Sequence, residues 1–443
     1  MDDATPRRRR DALLDLEPLR ASPAFARLWS ARAIAGIGSQ LTLVAVGLNV
    51  FDLVRPTEGA ASATVAVSLT GVLALVPTVV AGLYGGMLAD AFDRRTVMIG
   101  SGAVSWLSTL VLAALSWAHV ETVASLYVLT VLSATATTVL IAAESSATPR
   151  LLPARLLPAA GALMGITVGI SVTVGPGLAG VLVASVGFQW CYTIDAALFV
   201  LTLAAAFTLP PLRPEGRIER PGLASLLGGM RFLRTAPNIR TSFLVDIVAM
   251  TFGQPRVIYP AVGAVLLGGG ALTVGLLSAA FAVGALLSSV FSGRFGGVRR
   301  HGVAIERAIE AYGACILLFG GVLAIAAVGE ATGALPTPAG TIWIALAALL
   351  LAGAGAADNV SAIFRSTMLQ TAAPDSMRGR LQGVYIVVVT GGPRVGDLYA
   401  GILAGTGLLF LPPLAGGVVI IALVALLVRR RGFLDYDARH PAP

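Results

Sequence analysis

Apolar runs of roughly twenty residues, each long enough to cross a ~30 Å hydrocarbon layer as a helix, follow one another from Leu28 to Val428. Backbone inside lipid must satisfy its own hydrogen bonds, so such runs are read as helices. Between charged or Pro/Gly breaks they fall at residues 28–54, 63–88, 96–117, 122–144, 158–184, 189–210, 241–267, 272–293, 303–328, 340–363, 381–406 and 408–428. This pattern predicts an all-α integral membrane protein of twelve transmembrane helices. The composition agrees, since 56% of the 443 residues are hydrophobic and 12% charged, about half the ~25% charged fraction of soluble domains. An ordinary soluble enzyme is excluded.

All 31 basic residues are Arg. Without Lys the chain has neither the lysine of a phosphate-binding loop nor one for a Schiff base. The net charge of +8 could suggest nucleic acid, but the distribution of Arg argues otherwise. In the twelve-span reading 28 of the 31 Arg fall on one side, Arg55 lies on the other, and Arg256 and Arg394 lie within spans. Basic residues collect on the cytoplasmic side of membrane proteins. The expectation is therefore a multi-pass plasma-membrane protein with both termini cytoplasmic, its partner a lipid bilayer and not nucleic acid. Cys191 and Cys315 sit in apolar runs as packing residues, and His119, His301 and His440 have no ligand spacing, so no metal or cofactor is expected. The N-terminal arm lacks the apolar core of a cleavable signal.

The chain repeats itself. Arg94-Arg95 recurs as Arg299-Arg300, the Arg150 to Arg155 turn around Pro153 as Gln370 to Arg380 around Pro374, and Gly175-Pro176 as Gly392-Pro393. Copies in this order, 205 to 221 residues apart, point to two pseudo-symmetric six-helix halves, as in secondary transporters. The expected organisation is a cytoplasmic arm (1–27), an N-terminal half (28–210), a linker (211–240), a C-terminal half (241–428) and a cytoplasmic tail (429–443). Within the linker, Leu223, Leu226, Leu227, Met230 and Leu233 recur at helical spacing opposite Arg231 and Arg234, the pattern of an amphipathic helix on a membrane face.

Three motifs carry chemistry. At the end of the second run stands Gly85-Gly86-Met-Leu-Ala-Asp90-Ala-Phe-Asp93-Arg94-Arg95. It resembles the loop motif of the major facilitator superfamily at Gly86, Asp90, Arg94 and Arg95, with Ala91 and Asp93 as departures. In the fifth run Gly161, Gly165 and Gly169 recur every four residues, ahead of Gly175-Pro176-Gly177-Leu-Ala-Gly180. A glycine stripe serves close packing and Pro kinks a helix, but this segment also resembles the superfamily's antiporter motif. The third covers Asp358 to Gln370, Pro374 to Gly383 and Gly391 to Asp397. With Arg32, Gly38, Ser39 and Asp246 to Pro260, it resembles the subgroup of enterobactin exporters and macrolide or multidrug efflux proteins. The resemblance implies the major facilitator fold and transport rather than catalysis, with Arg365, Arg378 and Arg380 joining the first loop motif in a gate.

A charge within a span costs ~2.5–3.5 kcal/mol on insertion scales and marks a functional position by default. Asp246, Asp397, Arg394, Asp195 and Asp358 are the proton-coupling candidates. Arg394 and Asp397, three apart, share a helix face and can pair. Asp246 and Arg256, ten apart on a continuous helix, cannot. Glu144, at the end of its run, is read as an interfacial partner of Arg150 or of the second loop. Gln40, Asn49, Phe252, Gln254, Arg256 and Tyr259 are candidates for the substrate cavity. The combined expectation is a monomeric exporter of a bulky amphipathic small molecule, drug-like or siderophore-like. It would work by proton antiport with alternating access, the proton gradient its driving force, and protonation would weaken a pair such as Arg394 with Asp397. An uptake symporter and a non-transporting receptor or scaffold are the alternatives. The antiporter motif argues against the first and the lack of a soluble domain against the second.

Overall fold

The structure, a computed structural model, describes residues 16–213, 223–291, 298–332, 340–428 and 432–440. A short α1 (Glu17–Ala21) leads into α2 (Pro23–Ala91), whose first turn is capped by Ser22 Oγ, accepting from Phe25 N–H at 3.2 Å. A straight helix of 69 residues would run ~100 Å, over three times the hydrocarbon thickness. It breaks at Gly59, with φ +83° and ψ 171°, a conformation open to glycine because it lacks Cβ. The first two apolar runs thus occupy two arms of α2.

Helices α3 (Arg94–Trp117), α4 (Val123–Leu151), α5 (Leu157–Val186) and α6 (Phe188–Phe207) follow. Helix α4 opens on a reciprocal capping box between Thr122 and Ser125. After α6 come α7 (Leu223–Leu233), α8 (Pro237–Phe252), a single turn α9 (Tyr259–Ala261), α10 (Gly270–Val290), α11 (His301–Thr332), α12 (Gly340–Ala372), α13 (Asp375–Ala404) and α14 (Leu411–Val428). Helix α7 lies in the stretch read as amphipathic and packs on α13 and α8. Nine helices among the described residues, α2 counted once, are long and apolar enough to cross a membrane.

The 241–267 run is not the continuous helix expected from its hydropathy. Helix α8 ends at Phe252; the chain then passes through a 3₁₀ turn (Arg256–Ile258), α9 and a wide π turn (Val262–Leu266). Pro255 and Pro260 bring no N–H to a helical ladder. Gly253 lies so close to Tyr312 that a Cβ there would overlap its ring. Apolarity measures burial, and it does not register these interruptions.

Helices α2 to α6 pack mainly on one another, as do α8 to α14. The two sets meet mainly along two seams, α5 against α10 and the second arm of α2 against α13, with smaller contacts of α2 on α9 and on the 3₁₀ turn before it. Both seams are closest at the Arg-poor end. A Cβ on Gly275 would stand 2.8 Å from the Pro176 carbonyl oxygen and 2.9 Å from Gly180 Cα. Along the second seam Gly401 faces Ser68, and a Cβ on Gly405 would stand 3.1 Å from Val65. Toward the Arg-rich end the situation reverses, since a Cβ on Gly161, Gly165 or Gly169 would meet nothing within 4 Å. The glycine stripe of α5 therefore borders open space.

Residues 432–440 fold back beneath α11 and α12. Ala438 N–H donates to the Arg299 carbonyl at 3.0 Å, Arg300 and Asp437 form an antiparallel bridge, and Phe433 and Tyr436 are buried.

Candidate functional site: a charged cavity between the helix sets

A cavity of about 330 Å³ lies where α2, α5, α10, α13 and the broken stretch after α8 converge. Its polar wall is formed by Gln40, Gln254, Arg256, Arg394 and Asp397, and its apolar wall includes Val44, Val67, Pro176 and Phe281. The break at Gly253 to Pro255 brings Arg256 here. Arg256 is exposed to the cavity, and its guanidinium carbon stands 5.9 Å from the Phe281 ring centroid, within cation–π range. Among the described residues no ion pair joins Arg394 and Asp397. Both side chains instead turn onto Gly71 in the second arm of α2, where a Cβ would lie against the Asp397 carboxylate and 3.4 Å from Arg394 Nη1. Two guanidinium groups and one carboxylate leave this cavity with an excess of positive charge.

Three of the residues expected in the cavity are placed elsewhere. Asn49 is buried and donates from Nδ2 to the Tyr192 hydroxyl at 3.3 Å. Phe252 packs edge-on against Tyr399 with centroids 5.0 Å apart. Tyr259, 3% exposed, packs on Phe319 within the C-terminal set. None of the three lines the cavity, a placement that residue type does not encode.

A second cavity of about 220 Å³ opens between α2, α4, α5 and α6, and shares Gln40 and Val172 with the first. Arg32 and Glu144 line it and form an ion pair. Glu144 thus pairs with Arg32 across the bundle; the expected partner, Arg150, lies nearly two turns further along the same helix. Asp195 lines neither cavity. It is 3% exposed beside Gly38, and its Oδ2 accepts from Thr42 Oγ1 at 2.6 Å.

In the C-terminal set, Arg365 Nη2 lies 2.8 Å from Asp246 Oδ1 and 3.7 Å from Asp358 Oδ1, and Arg365 Nη1 donates to Ser361 Oγ at 3.1 Å. Asp246 and Asp358, expected as coupling candidates, and Arg365, expected in a gate, therefore form one buried cluster that ties α8 to α12.

Of the loop motif, the surroundings of Gly86 and the side chains of Asp90, Arg378 and Arg380 lie outside what is described. Asp93, the departure from the motif, caps α3: its Oδ1 accepts from Arg95 N–H and from Leu212 N–H, both at 3.0 Å. Arg95 Nη2 donates to the Phe207 carbonyl at 2.7 Å, where a cation complements the C-terminus of α6. Arg94 N–H donates to the Leu212 carbonyl at 3.3 Å. The antiporter-motif residues Gly175, Pro176, Gly177 and Gly180 lie on α5 at its crossings with α2 and α10. A Cβ on Gly175 would fall against Gln40, and one on Gly177 would stand 3.7 Å from Ala279.

Comparison with known proteins places this arrangement. The transmembrane secretion effector model matches residues 15–440. The chain is 30% identical over 427 residues to the enterobactin exporter EntS of Salmonella choleraesuis and 28% identical over 425 residues to that of Citrobacter koseri, covering 95% of both chains in each case. Among solved structures, a D-xylose–proton symporter aligns with a TM-score of 0.67 at 12% identity, covering 93% of this chain and 98% of that one. The nucleoside transporter NupG aligns with a TM-score of 0.63 at 16% identity, covering 91% and 98%. These two likenesses carry the fold, which is that of the major facilitator transporters, and the relatives are transporters rather than enzymes. The chain belongs to the transmembrane secretion effector family of multi-pass membrane transporters.

Proposed function

We propose that the protein exports a siderophore-like amphipathic molecule from the cytoplasm by proton antiport. The observation that carries this reading is the cavity walled by Arg256, Arg394 and Asp397, placed where the helix sets touch at the Arg-poor end and part along the glycine stripe of α5. The positive-inside bias assigns the open end to the cytoplasm, so this is the state that loads an exported molecule. Alternating access follows if residues 28–210 and 241–428 rock against each other, parting at Gly180 and Gly275 and closing over Gly161 to Gly169. The two Arg suit acidic groups, the apolar wall suits rings or chains, and Asp397 is the carboxylate available there for proton exchange. The direction and the siderophore class are carried over from the enterobactin exporters, and the protein is read as a plasma-membrane monomer with both ends in the cytoplasm.

The test uses everted vesicles containing the full chain, with enterobactin as the probe. An imposed inward-acidic gradient should drive enterobactin into the lumen, and Asp397→Asn should remove most of the gradient-driven part. Accumulation without dependence on the gradient would overturn antiport. Efflux from preloaded vesicles under that gradient would favour uptake symport.

A further inference from the structure

The two halves carry the same ion pair with its polarity reversed. Arg32 and Glu144 join the first arm of α2 to α4, and Asp246 and Arg365 join α8 to α12. Arg32 corresponds to Asp246 at an offset of 214 residues and Glu144 to Arg365 at 221, within the range of 205 to 221 that relates the repeated motifs. The first helix of one half thus supplies the cation, and the first helix of the other supplies the anion.

The environments differ in a way that separates their roles. Arg365 and Asp246 are sealed, with side chains 3% and 1% exposed, and the cluster holds a spare carboxylate in Asp358. Arg32 is 25% exposed on a cavity that shares the lining residues Gln40 and Val172 with the central one, while Glu144 is 4% exposed. Glu144 meets Arg32 through Oε2, and its Oε1 has no hydrogen-bond partner among the described residues. Nor has Thr202 Oγ1, 4% exposed in the lining of the same cavity. Unsatisfied buried polar atoms are costly, and two lining one cavity mark a place for a hydrogen-bonding ligand.

We infer that Glu144 is a second proton-exchange site, distinct from Asp397, whose free oxygen Oε1 accepts a hydrogen bond from a donor group, hydroxyl or ammonium, of the transported molecule. This rests on the antiport reading and supplies its sign. The ionised carboxylate accepts the donor; a proton from solvent, forming an O–H bond on Glu144, removes that acceptor and the charge attracting Arg32. Proton and substrate then compete for one oxygen, as exchange requires. The other groups facing Glu144 leave it this role. Helix α2 brings Arg32, α5 brings Thr167 and Ser171, and α6 brings Phe199 and Thr202. Helix α3 carries Arg94 and Arg95 at its first turn, Arg95 being engaged on Phe207. Asp195 of α6 is held by Thr42.

Infrared difference spectra of the purified full-length protein, recorded between mildly acidic and mildly alkaline buffer, test this without any substrate, so their outcome is independent of the transport assay. A protonated-carboxyl band that appears on acidification should be lost in Glu144→Gln, move in Glu144→Asp and persist in Asp397→Asn. Carbon-13 confined to Glu carboxyl groups should shift that band in the wild-type protein, and this holds whether or not the variants fold. A carboxyl spectrum unchanged in Glu144→Gln, or moved by carbon-13 in Asp but not in Glu, would overturn the assignment. An intact Glu144 band beside failed enterobactin transport would leave this site standing and remove only the substrate reading.

Discussion

Arg365 on α12 stands 2.8 Å from Asp246 on α8 and 3.7 Å from Asp358, seven residues earlier on the same face of α12, with the Arg365 side chain 3% exposed. Taking one partner from a buried pair leaves an uncompensated charge at a cost of ~3–5 kcal/mol. Here the cost depends on which partner is lost. Asp246→Asn leaves Arg365 on Asp358, whereas Arg365→Met strands two carboxylates. Thermal unfolding in detergent should show Arg365→Met losing the full ~3–5 kcal/mol and Asp246→Asn distinctly less. Equal losses would mean that Asp358 does not share the guanidinium.

The seam between α5 and α10 closes on backbone. Valine at Gly275 has nowhere to place its Cβ, 2.8 Å from the Pro176 carbonyl oxygen. Since carbonyl and Cα atoms cannot rotate away as a side chain does, Gly275→Val should part the helices. Spin labels on Val181→Cys and Leu272→Cys, in a background with Cys191 and Cys315 replaced by Ser, should move apart when Gly275→Val is added. An unchanged distance would show that the seam yields elsewhere.

The glycine stripe of α5 gives the opposite expectation. A Cβ on Gly165 meets nothing within 4 Å in this conformation, so Gly165→Leu should leave the unfolding temperature within the spread of repeat measurements. If the stripe becomes a contact surface when the cytoplasmic side closes, the same variant should abolish transport. Full activity of Gly165→Leu would exclude α5 from the closing surface.

Sequence and structure agree where apolar patterning dominates. The runs that became α3, α5, α6 and α14 could be read within a few residues, because a span of given thickness needs a given number of apolar residues. The break after Phe252 was not legible in hydropathy, although Gly253-Gln254-Pro255 and Pro260 were its signal. That break also explains how Arg256 leaves the axis of α8 and reaches the cavity. Direction around a helix was the weaker reading. Gln40 and Gln254 line the cavity while Asn49 and Tyr259 do not, and nothing in the residue types separates them. Glu144 was missed as a cavity residue because its partner, Arg32, lies 112 positions away. The signal that could have found it was the repeat itself, which aligns Arg32 and Glu144 with the charged positions Asp246 and Arg365.

The segment docked beneath α11 and α12 gives the last prediction. Tyr436 is 3% exposed, its ring lies 5.8 Å from that of His301 at an interplanar angle of 30°, and its hydroxyl is 3.2 Å from Thr371 Oγ1. The neighbouring Phe433 carbonyl presses on Gly302, where a Cβ would overlap it. Deleting a buried large aromatic costs ~3–5 kcal/mol in a soluble core, whereas a single hydrogen bond contributes ~0.5–1.5 kcal/mol. Tyr436→Ala should therefore destabilise the purified protein severalfold more than Tyr436→Phe, measured as unfolding midpoints in detergent. Tyr436→Ala should also make a cysteine placed at Phe364 react faster with a soluble maleimide, since the Phe364 ring also packs on His301, with centroids 5.2 Å apart. If both variants leave unfolding and labelling unchanged, the 432–440 segment does not hold the ends of α11 and α12 together, and its burial contributes nothing to the C-terminal set.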